Sequence, residues 1–194
     1  MNDIYKQVSQ LLKQRLTPQR YTHSLGVAKT AASLAQVYHA DIEVCRFSGL
    51  VHDITKDVDF AGQLSLLKQY GIDVTECLLF SPGVLHAITG AYFVQNELHI
   101  QDKRIFDSVR YHTTGRRGMS LYELILYVAD LIEPTRNYKD VDRLRKLSRT
   151  DLSLVAYEGV KFCIMEHIER NTYIYPDTFD FYNECIEKRL KNGI

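Results

Sequence analysis

Leu124-Ile125-Leu126-Tyr127-Val128-Ala129-Asp130 is the stretch that decides the fold. Its apolar residues wrap most of a helical circumference instead of forming one stripe, which marks a helix buried on nearly every side. Ser120 stands where an N-cap belongs, and Pro134 stops the helix after Glu133. Asp130 lies inside this run. A carboxylate there must be neutralised, paired or bound to a metal, because a bare buried charge is very costly. The chain is therefore expected to be built around one central helix that carries a functional acid.

Working outward, the apolar period stays helical nearly throughout. Residues 3–16 place Ile4, Val8, Leu11 and Leu12 on one face, and Thr17-Pro18 opens a second helix to about Tyr38 with Arg20 and His23 in its first two turns. Asp41 caps a third helix that ends near His52-Asp53. A short helix over 59–70 is stopped by Gly71, and the chain is expected to turn at Ser81-Pro82-Gly83. Helices over 84–98 and 101–111 follow, with His86 in the first turn of one and His112 at the end of the other. Residues 113–118 read as a loop with two glycines. Past the central helix come helices over 140–147 and 151–170, a loop over 171–178 and a last helix to about Lys191. No alternating strand pattern of useful length appears. The fold class is all-α.

At 194 residues the chain is expected to form one domain over 1–194. Lysine plus arginine equals aspartate plus glutamate, 24 against 24, so no global field favours nucleic acid or an anionic membrane. Arg116-Arg117 and the group Arg143, Arg145, Lys146 and Arg149 read as solvated surface. Cys45, Cys77, Cys163 and Cys185 form no CxxC pair and read as small core residues of a reduced cell interior. No secretory signal and no membrane-spanning run is visible, so the protein is expected in the cytoplasm, with neither nucleic acid nor membrane as partner.

Histidine and aspartate suit a borderline or hard divalent metal. His23, His52, Asp53, His86, His112 and Asp130 are six such residues, most of them at helix ends, and ends of different helices can converge on one pocket. Three or four of them, leaving coordination positions open, meet the requirement of a hydrolytic metal. Such a metal lowers the pKa of bound water and polarises a phosphoryl oxygen, while Lys56 and Arg20 are placed to neutralise phosphate charge. By residue type alone, the six are equally compatible with separate, satisfied positions. His39, His99 and His167 are given that plainer reading.

The order His23, His52-Asp53, Asp130 on helices of an all-α chain resembles the HD-domain metal-dependent phosphohydrolases. Arg20 to Ala28, His52 to Lys56, Arg110 to Gly115, Tyr127 to Arg136 and Tyr175 to Thr178 are similar to one branch, the bacterial YqeK type. Its members resemble symmetrical diadenosine tetraphosphatases, which cut Ap4A into two ADP. The resemblance covers the chain from about Tyr21 to Asn183. It implies an HD-domain helical bundle with the metal site between central helices, a core of about 18–135, and C-terminal helices of about 140–191 that close a nucleotide pocket. It implies His23, His52, Asp53 and Asp130 as ligands of iron, with manganese, cobalt or another divalent ion as alternatives. Asp53, Lys56, His86 and His112 are implied in catalysis. Arg20, Lys56, Asp57, His86, His112, Thr113, Arg136 and Tyr173 are implied in binding the dinucleoside polyphosphate, with ADP or GDP as product-like ligands.

His86 and His112 fit either a second metal site or direct phosphate contact, and contact at one principal metal is preferred because few carboxylates beyond Asp53 stand near them in sequence. The sequence departs from the branch at Tyr173-Ile174-Tyr175-Pro176, where a histidine is expected before the proline. The resemblance therefore leaves the nucleotide contacts of that loop open. Two other readings stand beside hydrolysis of Ap4A: another nucleotide phosphohydrolase, and a non-catalytic nucleotide-binding sensor. A homodimer is compatible with the amphipathic first or last helix.

Overall fold

A computed structural model describes residues 2–191 and 193; the expected span of 1–194 reaches Met1, Asn192 and Ile194, which lie outside them. The described residues form eleven helices and no strand. In chain order these are α1 (Asn2–Arg15), α2 (Pro18–Val37), α3 (Ile42–Val51), α4 (Phe60–Gln69), α5 (Glu76–Phe80), α6 (Pro82–Asn96), α7 (Lys103–Tyr111), α8 (Leu121–Ile132), α9 (Val141–Leu147), α10 (Leu152–Glu169) and α11 (Pro176–Lys191).

Helix α8 is the central element. Ser120 and Glu123 close a capping box at its start, satisfying two N–H groups that have no partner within the helix. Ile125, Leu126, Tyr127, Val128, Ala129 and Ile132 are all buried, and fully burying such an aliphatic side chain stabilises by about 1.5–3 kcal/mol. Around α8 one cluster joins Val27, Ala31 and Leu34 of α2 to Val155 and Val160 of α10 and Phe181 of α11. A second ties α1, α2, α3, α6 and α7 through Leu12, Ala28, Leu50, Val94 and Val109. Helix α1 thus spends its apolar face inside the chain.

Helices α2 and α3 approach closely because Gly49 faces α2. A Cβ there would lie 2.8 Å from Ala28 Cα and 2.9 Å from its nitrogen. This approach fixes the distance between His23 on α2 and His52 at the end of α3.

Several boundaries differ from the sequence reading, and proline explains two of them. Pro82 and Pro176 open α6 and α11 at the first helical position, where a missing N–H costs nothing; both were expected to lie in turn or loop. Helix α7 starts at Lys103 because Asp102 accepts from Arg104 N. The five-residue α5 has no counterpart in the reading. Asp130 also differs: its side chain is 22% exposed, so it reaches solvent and is not sealed in the core. Of the cysteines only Cys45 is fully buried, and all four are free thiols.

Candidate metal centre

Three histidines are fixed in tautomer and direction by an acceptor on Nδ1, two of them by a carbonyl of their own helix and His23 by a carboxylate after α8. His23 donates from Nδ1 to Glu133 Oε1 at 3.1 Å. His52, the C-cap of α3, donates from Nδ1 to the Gly49 carbonyl at 2.8 Å. His112, the C-cap of α7, donates from Nδ1 to the Val109 carbonyl at 2.7 Å. In each case Nε2 is left facing the centre, the arrangement in which an outer partner prepares an imidazole to ligate.

Those nitrogens converge with carboxylates. His23 Nε2 lies 3.2 Å from His52 Nε2 and 3.1 Å from Asp130 Oδ1. Asp53 Oδ2 stands 3.5 Å from His52 Nε2 and 3.9 Å from His23 Nε2. Two groups of donor atoms, His23/His52/Asp130 and His52/Asp53/His112, each fall within 4.8 Å of one another. Electrostatics supply the test of whether a cation fits. Burial opposes charge on His52, yet Asp53 and Asp130 outweigh it and raise its pKa. Burial likewise opposes ionisation of Asp53, but His52, His112 and His86 hold its carboxyl well below the usual range. Asp130 is lowered too, against burial, by His23, His52 and Arg136. The cluster attracts positive charge between imidazole nitrogens that face one another, and a divalent ion answers that demand.

A chain of contacts leads outward from Asp53. Its Oδ2 accepts from Arg20 Nη1 at 2.9 Å and its Oδ1 lies 3.2 Å from His86 Nε2. Lys56 Nζ is 3.2 Å from His86 Nδ1. Burial pushes the His86 pKa down to about 4, against the pull of Asp53, so its ring is neutral at neutral pH. Burial also lowers the Lys56 pKa, with Asp53 opposing. His86 Nε2 and His112 Nε2 are 3.2 Å apart, and Thr113 Oγ1 is 3.3 Å from the latter. Arg136 Nη2 reaches Asp130 Oδ1 at 2.5 Å.

Two residues expected to bind substrate have partners within the protein. Asp57 Oδ2 accepts from Thr17 N at 2.7 Å and faces Arg20 Nε at 4.0 Å, so its carboxylate serves the start of α2. A second carboxylate would also repel a phosphate. Tyr173 is 39% exposed, and its hydroxyl donates to Cys77 Sγ at 3.1 Å instead of to the histidine cluster.

Three supporting groups escaped the sequence reading. Glu133 is fully buried; besides His23 it takes the backbone N–H of Thr135 at 2.8 Å and the Thr135 hydroxyl. Its three-residue offset from Asp130 on one helix was the available signal. Arg145, read as solvated surface, donates to the carbonyls of Ile132, Glu133 and Arg136 at 2.8–2.9 Å and so pins the loop after α8. Gln63 donates to the Thr55 carbonyl at 2.6 Å, and Thr55 Oγ1 donates to the His86 carbonyl at 3.0 Å, tying α4 and α6 to the segment after His52.

An HD-domain family model matches residues 20–135. The chain is 38% identical over 172 residues to a symmetrical bis(5'-nucleosyl)-tetraphosphatase of Bacillus subtilis, covering 89% of this chain and 92% of that protein. It is 36% identical to a protein of the same name from Halalkalibacterium halodurans over 91% of this chain and 94% of the relative. A crystal structure from Clostridium acetobutylicum, described as a predicted HD superfamily hydrolase involved in NAD metabolism, superposes with a TM-score of 0.92 at 33% identity, covering 95% of this chain and 97% of that one.

Proposed function

The chain belongs to the HD-domain family, and on that premise we propose that it hydrolyses diadenosine tetraphosphate symmetrically to two ADP. The observation that carries the reading is the convergence of His23, His52, Asp53 and Asp130, with Arg20, Lys56 and Arg136 around them. Relatives named for this activity match over nearly the whole chain.

His23, His52, Asp53 and Asp130 would hold one principal divalent ion, which lowers the pKa of water and polarises a phosphoryl oxygen. We assign iron to it, since two imidazoles and two carboxylates suit that metal. The Lys56 ammonium, 3.2 Å from His86 Nδ1, disfavours a second cation there, so His86 and His112 are assigned to the substrate phosphates.

In the reaction, water adds to an inner phosphorus of the tetraphosphate. The bridging P–O bond to the other half breaks, one ADP leaves, and the attacked half is the second ADP. Asp53, held ionised, orients the attacking water. Arg20 and Arg136 are half-exposed guanidiniums beside the cluster, able to take phosphate oxygens in pairs. Lys56, His86, His112 and Thr113 meet the charge that develops on the phosphoryl group. We take the chain as one domain in which residues beyond 140 close the nucleotide pocket and ADP is retained as a product-like ligand. The four free thiols favour the cytoplasm, and no helix of the described residues is long and apolar enough to cross a membrane. Self-association is assigned to the outer face of α11, where Leu190 is 69% exposed.

Chromatography of products from Ap4A and iron- or manganese-loaded protein tests the reading. Two ADP are expected. ATP plus AMP refutes symmetrical cleavage, and ADP bound without turnover returns the protein to the sensor reading.

A further inference from the structure

Two clefts of different chemistry are linked to Asp53 through its partners Arg20 and His86. One, of about 520 Å³, is polar and contains Arg20, His23 and Arg136; Asp53 Oδ2 points to it through Arg20. The other, of about 160 Å³, is lined by Lys56, His86, Phe60, Pro82 and Gly83 among others; Asp53 Oδ1 lies 3.2 Å from His86 Nε2. Phe60 is the odd residue of this second cleft. Its ring is 46% exposed, and it belongs to none of the three core clusters. Asp59 caps α4 by accepting from Gly62 N at 2.8 Å and so sets the backbone of the first helical residue, Phe60. An aromatic face left open in a cleft shared with a lysine and a histidine gains little for the fold. Cutting a tetraphosphate at its middle requires a nucleoside diphosphate half on each side of the attacked phosphorus.

We infer that the Phe60 cleft receives one nucleoside end of the substrate, its base stacked on the Phe60 ring and its phosphate next to Lys56 and His86, while the Arg20–Arg136 cleft receives the other half mainly through its phosphates. The inference rests on the hydrolase reading above. Stacking is tolerant of base identity, because every base has a π-face. The two halves of a symmetrical substrate are thereby held by unlike subsites, and Phe60 contributes affinity without touching the reacting atoms.

Steady-state kinetics of metal-loaded Phe60→Ala and Phe60→Tyr, alongside the wild type, provide the test. With Ap4A the alanine variant is expected to show a KM raised by about 5- to 150-fold, the range of one lost base stack. The tyrosine variant is expected to keep the wild-type KM. Competitive inhibition by inorganic tripolyphosphate, which has no base, is expected to be equal in all three proteins. An active wild type whose alanine variant has the same KM overturns this inference alone. So does an alanine variant in which tripolyphosphate inhibition weakens in parallel with KM, since Phe60 would then only support the fold. A wild type that leaves Ap4A intact overturns the hydrolase reading and this inference with it.

Discussion

Glu133 shows how much of the centre depends on a residue outside the four expected ligands. Burial works against its charge, but Thr135 and His23 outweigh it and keep the carboxyl ionised. An ionised carboxylate only accepts hydrogen bonds, so His23 must carry its proton on Nδ1 and present Nε2 to the cluster. Gly26 belongs to the same arrangement: a Cβ there would lie 2.5 Å from Glu133 Oε2. Glu133→Gln preserves the size of the side chain but removes the charge that orients the ring. Divalent-metal affinity is expected to fall about 10- to 100-fold, as for other outer partners of ligating histidines, with helicity by circular dichroism unchanged. Equal affinities in a metal titration of the two proteins would remove Glu133 from the centre.

At the scale of elements, the pairing of α2 with α3 sets the distance between His23 and His52, and Gly49 permits it. Gly49→Ala forces the Ala28 backbone away. A stability loss of about 1–3 kcal/mol is expected for such overpacking, together with weaker metal binding because the two imidazoles separate. Denaturant unfolding with and without metal checks both; a variant as stable and as metal-avid as the wild type would show that the interhelical distance is not limiting. Element boundaries also show what the sequence reveals. Thr17-Pro18 was read correctly because a capping side chain precedes the proline and accepts from Arg20 N. At Ser81-Pro82 the Ser81 side chain makes no cap bond, so the local signal looked like a turn. The contact that makes it a helix start, packing of Leu85 and Ile88 with Leu67 of α4, is tertiary and leaves no mark in the local period.

At the scale of the whole molecule, the all-α class and the central position of α8 follow from one apolar run, because a helix apolar all round has to be surrounded. The identities of His23, His52, Asp53 and Asp130 were legible as residue types in a family-like order; their convergence was not, since periodicity says nothing of which helix ends meet. Asp57 illustrates the limit. The resemblance implied it in substrate binding, and only the fold shows that its carboxylate meets Thr17 N across 40 positions of sequence. Tyr173 similarly meets Cys77, 96 positions away. What the assembled molecule is claimed to do is deliver water to an inner phosphorus of a four-phosphate chain and release equal halves. Hydrolysis of Ap4A in ¹⁸O-labelled water, with products resolved by mass spectrometry, tests that claim most directly. One labelled oxygen on the terminal phosphate of one of the two ADP formed is the expected result; label in ATP or AMP, or in neither product, would contradict it.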